Sequence, residues 1–365
     1  MKKIRVLVVE DSPTVRELLV STLHKDKEFE VVGTAADGQS AIRLCESLRP
    51  DVVTLDMMIP NGNGLEVTEY IMAYRPTPIV IVSSSANRVE VVPTYDALAA
   101  GALDVVEKPD GKQSVQNWAE SFISTLKVAS RIKVITHPRG RLRKSVGNSS
   151  SWNIEAPAET AIPPNAAIAT SENRYSLLVM GASTGGPAAV MQILSCIRPP
   201  LPLPILLVIH IGVPFGAALA EWLGSALPMP VSEARHGEIL PAPGVARLII
   251  APPDRHLSIS RGRLLLDNGP ERHSCRPSID VLFESVAREL GPQSIGCLLT
   301  GMGRDGAAGL LAMKQAGAMT LVQDEFTSVV FGMPREAVRL GAAKRILPLG
   351  DFPMALKSLL ERNSA

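Results

Sequence analysis

The chain has 365 residues, an apolar content of 46% and a formal net charge of +1. That is long for one domain and ample for two cores, and a near-neutral balance gives no whole-chain attraction to nucleic acid. No apolar run reaches the ~18 residues of a membrane span, and the four cysteines, Cys45, Cys196, Cys275 and Cys297, form no CxxC pair, which argues against a disulfide framework or structural zinc and suits a reducing cytoplasm.

The opening "MKKIRVLVVE" turns from basic to apolar, but its apolar part is short and ends in acids rather than at a small-residue cleavage site. It reads as a buried strand, not a signal peptide. From residue 4 to about 128, β-branched runs alternate with amphipathic stretches such as Thr14–His24 and Gly38–Leu48. Strands are predicted at Ile4–Val9, Glu30–Ala35, Val52–Asp56, Ile79–Ser83 and Asp104–Glu107. Five β/α units of this kind predict a doubly wound parallel sheet.

The chemistry of this first part sits at the strand ends. Glu10 and Asp11 follow the first strand, Asp56 closes the third, Ser83 closes the fourth and Lys108 follows the fifth. In a parallel sheet these ends open on one edge, where ligands of open α/β sheets bind. Three carboxylates there repel one another unless a hard cation joins them, and Mg²⁺ prefers such oxygen ligands. A metal-neutralised Asp56 is then a nucleophile toward a phosphoryl group, with Ser83 and Lys108 to hydrogen-bond its oxygens. Any one of these acids reads equally well as a helix cap; five matching positions in order do not. On these residues the first 128 residues resemble the receiver domain of two-component response regulators. The resemblance implies phosphotransfer from a histidine kinase onto Asp56, with Glu10, Asp11 and Asp56 holding Mg²⁺. One position departs: Val105 stands three residues before Lys108, where receivers usually carry a switch aromatic.

Residues 137 to 172 are rich in Pro, Ser, Asn and Ala without apolar period, and read as a flexible tether within a linker spanning 129–174. Six Lys or Arg between Arg131 and Lys144 read as solvated linker charge rather than a site for an acidic partner.

Strands and helices resume at Tyr175–Met180 and Ile205–His210. In "VARLIIAPPDRHLSISRGRLLLD" three extended runs are joined by "PPDR" and "SRGR", the pattern of antiparallel hairpins. The domain from 175 to 365 is therefore expected to be a mostly parallel α/β sheet carrying an antiparallel hairpin at its edge.

Its first turn, "GASTGGP", has Pro187 where a Walker loop needs Lys, but Gly181 to Gly185 spell GxSxG, the turn that exposes a serine between strand and helix. A nucleophilic Ser183 needs a base and an orienting acid. Of six histidines, His24 and His137 lie outside the domain, and His236 and His273 sit in polar irregular stretches expected at the surface. His210 ends an apolar run and should emerge on the same edge as Ser183; His256, at the "PPDR" turn, is the runner-up. Asp305 supplies the acid from a third strand–turn–helix, "SIGCLLTGMGRDGAAGL". The same turn offers a rival reading. Gly301, Gly303 and Gly306 spell GxGxxG, and Asp324 stands about 20 residues on, as a dinucleotide site would have it. Against that, Asp305 would aim negative charge at a pyrophosphate unless it turned away.

The order Ser, His, Asp is not that of α/β-hydrolases. With "GASTGGP", "VIHIGVPF", "APPDRHL", "RPSIDVLFESVA", "TGMGRDGAAGL" and "VVFGMPREA", residues 175 to 360 resemble the catalytic domain of the chemotaxis protein-glutamate methylesterases. The resemblance implies a phosphorylation-regulated cytoplasmic hydrolase that removes methyl esters from glutamate side chains of chemoreceptors and deamidates particular receptor glutamines. It places nucleophile, base and acid on Ser183, His210 and Asp305, with the backbone N–H groups of Thr184 and of the turn near Met302 as oxyanion donors. No cofactor is expected for that step, and neither membrane insertion nor a nucleic-acid partner is expected. A catalytically silent, phosphorylation-dependent binding protein is the alternative of a different class, which an intact triad argues against. DNA binding has no recognition-helix pattern to support it.

Overall fold

A computed structural model of the chain describes residues 2–84, 88–109, 115–132, 134 and 175–361. The tether at 137–172, with most of the basic cluster and His137, lies outside the described residues.

The N-terminal sheet holds β1 (Ile4–Val9), β2 (Phe29–Ala35), β3 (Val52–Leu55), β4 (Ile79–Ser83) and β5 (Asp104–Glu107) in the order β2-β1-β3-β4-β5, all parallel. Its central strands β1 and β3 are largely apolar, Arg5 and Thr54 being the exceptions, because helices cover both faces: Val6 to Val9 and Val52 to Leu55 are all buried. The helices are α1 (Pro13–His24), α2 (Gly38–Leu48), α3 (Gly64–Tyr74), α4 (Arg88–Ala99) and α5 (Val115–Ala129). Short polar residues start two of them: Asp37 accepts from the Ser40 N–H and Asn63 from the Glu66 N–H, both at 2.9 Å.

The C-terminal sheet has seven parallel strands in the order β14-β13-β12-β6-β7-β9-β8. They are β6 (Leu177–Ala182), β7 (Pro204–Ile209), β8 (Val231–Glu233), β9 (Arg247–Ile250), β12 (Ser294–Leu298), β13 (Met319–Gln323) and β14 (Arg345–Leu347). Between and after them run α6 (Gly186–Ser195), α7 (Val213–Ala226), α8 (Ile279–Glu289), α9 (Ala307–Gln315), α10 (Met333–Arg339) and α11 (Phe352–Glu361). The chain starts at β6, winds one way through β7 to β8 and β9, then crosses back to β12. The switch point, where α/β sheets place their ligands, therefore lies between β6 and β12.

One detail differs from expectation. Of the three extended runs in residues 245–267, the first is β9, a parallel strand inside the sheet. Only the other two, β10 (His256–Ser260) and β11 (Arg263–Asp267), pair antiparallel, and they form a sheet of their own. Leu257, Ile259, Leu264 and Leu266 join Phe283 and Val286 of α8 in one buried cluster, and the Ile259 N–H donates to Ser285 Oγ at 3.0 Å. The hairpin covers a helix instead of extending the sheet edge.

Candidate active site

In the first sheet, the edge formed by the strand ends gathers every carboxylate the pattern picked out. Oxygens of Glu10, Asp11 and Asp56 lie within 4.8 Å of one another. Lys108 Nζ bridges Asp56 Oδ2 at 2.8 Å and Glu10 Oε2 at 2.9 Å. Burial, with the Asp56 charge adding to it and Lys108 opposing it, pushes the Glu10 carboxyl up to about 7. Burial works against the Lys108 ammonium, but Asp56 and Glu10 outweigh it and hold its proton more tightly than usual. Ser83 Oγ is buried with no hydrogen-bond partner among the described residues, beside the Lys108 N–H that donates to the Ser83 carbonyl at 2.9 Å. This donor set suits a hard divalent cation: all oxygen, three carboxylates against one lysine, and an orphaned hydroxyl buried alongside.

On the second sheet, Ala182 pairs with Ile209, and the His210 N–H donates to the Ala182 carbonyl at 3.1 Å, so Ser183 and His210 leave adjacent strands side by side. From the other flank, the Ser183 N–H donates to the Thr300 carbonyl at 3.0 Å, just past β12. Thr300 Oγ1 donates to the Thr184 carbonyl at 3.0 Å and accepts from the Val330 N–H at 2.9 Å, which ties the serine turn to its neighbours. The turn needs its glycines. Gly185 has φ +75, and a Cβ there would meet Val329 at 2.6 Å; a Cβ at Gly301 would meet the Ser183 Cβ at 2.7 Å. Pro187 then sits in the first turn of α6, where a missing N–H costs nothing.

Asp305 is 1% exposed and turned inward. It accepts from Ser278 Oγ (2.7 Å), the Ile279 N–H (2.7 Å), the Asp280 N–H (3.1 Å) and His210 Nε2 (2.8 Å). Burial alone would raise its pKa; His210, Ser278 and Ile279 together hold it below the usual carboxylate range. Burial likewise disfavours the His210 imidazolium, but the Asp305 hydrogen bond and then Cys275 raise the ring to about 9. A carboxylate can only accept, so neutral His210 carries its proton on Nε2 and its basic lone pair on Nδ1. Among the described residues Ser183 Oγ makes no hydrogen bond, so the serine and imidazole are neighbours at the backbone without yet being joined at the side chains. The N–H groups of Thr184 and Met302 donate to no acceptor among the described residues, which leaves both free for an oxyanion.

The other histidines of the second sheet's described residues are structural or peripheral. His256, the runner-up base, is 2% exposed; it accepts from the Ser278 N–H at 3.1 Å and pairs with the Pro270 carbonyl at 3.0 Å, steadying the segment that feeds Asp305. His236 bonds to the backbone of Leu266. His273 is on the surface but belongs to the rim of this site, with Asp280 Oδ2 at 3.1 Å and an Arg304 Nε donor at 3.1 Å. Sequence reasoning missed Ser278, Asp280 and Cys275. Ser278 and Asp280 start a helix, where such residues read as caps, and Cys275 carries no pattern of its own.

The nucleotide reading fares poorly here. Asp305 does turn away, so the charge objection lapses, but Asp324 is spent on its own turn, accepting from the Thr327 N–H at 2.9 Å and the Thr327 hydroxyl at 2.5 Å.

The first sheet docks on the second beside this site. Tyr95 of α4, fully buried, stacks on Trp222 of α7 with ring centroids 5.3 Å apart, and its hydroxyl donates to the Phe215 carbonyl at 2.7 Å. Trp222 Nε1 donates to Asp96 at 3.1 Å. Next to Ser183 itself, Thr184 Oγ1 donates to Asp104 Oδ2 at 2.8 Å, and the Gly185 N–H donates to the Leu103 carbonyl at 3.1 Å. Burial raises the Asp104 carboxyl, with Thr184 and the Val105 N–H partly offsetting it.

Comparison with known proteins agrees with this geometry. Residues 178–356 match the CheB methylesterase family, and residues 6–119 match the response regulator receiver domain family. A protein-glutamate methylesterase/protein-glutamine glutaminase of Nitrosospira multiformis is 42% identical, with 98% of this chain and 97% of that protein covered. Another from Anaeromyxobacter dehalogenans is also 42% identical, over 98% of this chain and 97% of that protein. The crystal structure of the Thermotoga maritima CheB methylesterase catalytic domain is 33% identical and covers 52% of this chain and 98% of that domain, with a TM-score of 0.47. On the strength of identity that runs through both sheets and nearly the full length, the chain belongs to the protein-glutamate methylesterase/protein-glutamine glutaminase family.

Proposed function

We propose that this protein is a phosphorylation-controlled hydrolase of methyl esters on glutamate side chains of chemoreceptors, with deamidation of receptor glutamines as a second activity. Residues 1–128 serve as the receiver, 129–174 as the linker and 175–365 as the catalytic domain. The single observation that carries the reading is the His210–Asp305 pair at 2.8 Å, set at the strand end next to Ser183.

Ser183 Oγ attacks the ester carbonyl, and His210 takes its proton at Nδ1, because Asp305 occupies Nε2. The N–H groups of Thr184 and Met302 receive the developing oxyanion. His210 returns the proton to the leaving methanol, and water, activated in the same way, releases the carboxylate. Four hydrogen bonds keep Asp305 ionised, so it stabilises the imidazolium without taking its proton.

Glu10, Asp11 and Asp56 would hold Mg²⁺, whose charge would offset the three carboxylates, and Asp56 is the residue that takes the phosphoryl group from a histidine kinase. Ser83 and Lys108 receive the phosphoryl oxygens. Unphosphorylated, the receiver withholds the serine turn from substrate through Asp104 and Leu103. The protein works in the cytoplasm, where kinase and receptor tails meet it; among the described residues no helix is long and apolar enough to cross a membrane. The test is methanol release from methyl-labelled receptor membranes by the full chain, with and without a small phosphodonor. Release that depends on Ser183 and rises with the phosphodonor supports the reading; absence of release under both conditions overturns it.

A further inference from the structure

We propose that Cys275 is a positioning residue for His210, holding the base nitrogen in the resting enzyme and competing for it with Ser183. The inference rests on the triad reading above and adds to it the thiol that faces the working nitrogen.

The geometry carries it. Asp305 fixes the Nε2–H, so the lone pair of neutral His210 lies on Nδ1, and Cys275 Sγ stands 3.6 Å from that atom. This length suits a hydrogen bond to the large sulfur atom. The thiol has one further contact, the His273 carbonyl at 3.4 Å. It is aimed by a rigid turn: Arg272 and Cys275 exchange backbone hydrogen bonds at 3.1 and 3.0 Å, Arg276 is clamped on Asp254 at 2.6 and 2.8 Å, and the Ser278 N–H is held by His256. Cys275 also lines an open cavity of about 390 Å³ with His273, Met302, Arg304 and Asp305, so the contact is at the mouth of the site and not in a sealed core.

Charged groups surround this contact on every side. Asp305 faces the ring from the turn before α9, while Arg304 and His273 border the thiol; Arg272 and Arg276 flank it but are committed to Glu284 and Asp254. The remaining thiols lack this setting. Cys45 and Cys297 are buried, with burial pushing both upward, and Cys196 is exposed, with no imidazole bonded to it among the described residues. In this arrangement the contact with Cys275 adds to the Asp305 hydrogen bond in favouring the protonated His210 ring. Turnover requires the imidazole to leave the sulfur and face the serine hydroxyl.

Two measurements on the full chain test this. The first is the pH profile of kcat/KM for methyl-ester hydrolysis in the parent, Cys275→Ala and Cys275→Ser. Without the thiol the acidic limb should move to lower pH, by about tenfold in kcat/KM at pH 7 for each pH unit of movement. Serine, whose shorter hydroxyl reaches the ring less closely, should lie between. A role in packing alone would lower the plateau and leave the limb in place, and an unmoved limb in both variants overturns the proposal. The second needs no variant: iodoacetamide alkylation of the parent is followed by mass spectrometry across pH, with Cys196 as the reference thiol in the same molecule. Cys275 should alkylate faster than Cys196 below pH 8, and its modification should stop methanol release; identical profiles for the two thiols overturn the pairing. If coupling is seen while Ser183→Ala still hydrolyses ester, the thiol–imidazole pair stands and the nucleophile assignment falls.

Discussion

Tyr95→Phe tests the docked receiver at one atom. The substitution keeps the ring that stacks on Trp222 at 5.3 Å and removes only the hydroxyl that donates to the Phe215 carbonyl at 2.7 Å. A buried hydrogen bond of this kind is worth about 0.5–1.5 kcal/mol net. The Phe215 carbonyl lies in the first turn of α7, where a helical N–H also reaches it, so the loss belongs in that range and not above it. Converted to a population, this is about 2-fold to about 12-fold in the docked-to-undocked ratio. If the docked form is the silent one, methanol release by the unphosphorylated full chain should rise by that factor. Deleting residues 1 to 140 sets the ceiling. The assay is release from methyl-labelled receptor membranes without phosphodonor, with near-ultraviolet circular dichroism to confirm that the aromatic packing survives. A truncated protein no faster than the parent, together with an unchanged Tyr95→Phe rate, would refute occlusion by the receiver. Phosphorylation would then have to act by recruitment.

Ser183→Ala should abolish measurable methanol release while leaving the fold intact, because the hydroxyl makes no bond that the fold needs; in the worked serine-protease template such a loss leaves only about 10³–10⁴-fold over water. Asp305→Asn should cripple turnover about as severely by allowing the wrong His210 tautomer, and should destabilise the segment at Ser278 to Asp280 as well, seen as a lower melting temperature. Chelating Mg²⁺, or Asp56→Asn, should remove stimulation by a small phosphodonor and spare basal release, measured in the same assay. With pH, activity and stability should move in opposite directions. His210 rises from an ordinary value near 6.5 to about 9, so the base is freed only as pH climbs toward 9, and kcat/KM should rise up to that point. The stability that the raised imidazole contributes, about 3 kcal/mol by linkage, is fully present below pH 6.5 and lost as pH passes 9, which denaturant melts at pH 7 and pH 10 would register.

How much of this was legible in the sequence depends on what fixed each feature. Parallel strands buried on both faces must be apolar along their length, so β1, β3, β4, β6 and β7 were plain from their composition, to within two residues at each end. The chemistry at their ends was legible for the same reason: once strands are parallel, Glu10, Asp56, Lys108, Ser183 and His210 can only emerge on shared edges. β8 was not legible, because "VSE" is three half-buried residues with no period to detect. The seating of the hairpin was not legible either. Its alternating Leu257, Ile259, Leu264 and Leu266 ask for a partner, and nothing local says that the partner is Phe283 on a helix instead of a sheet edge. Cys275 escaped because its approach to His210, 65 residues away, is set by the clamps of Arg276 on Asp254 and of Ser278 on His256. Asp104 escaped because the first residue of a strand normally looks like nothing more than the start of a sheet.

That last residue gives the proposed receiver control a route between the two sites that needs no aromatic at position 105. β5 has only four residues, Asp104 to Glu107, a span of about 13 Å at the usual rise per residue. Just past one end, Lys108 holds both Asp56 and Glu10; at the other end, Asp104 holds Thr184, the neighbour of the nucleophile, while Leu103 holds the Gly185 N–H. β5 is also the sheet's edge strand, bonded only to β4 through Val80 to Ser83, so it is freer to shift than a central strand would be. On the proposed reading a phosphoryl group on Asp56 would claim Lys108, which follows β5, and offer an acceptor to the Ser83 hydroxyl, which ends β4. Movement at that end would reach the Asp104–Thr184 contact along four residues of extended backbone. On this reading the strand itself runs from one site to the other, and the proposed control asks no aromatic of position 105.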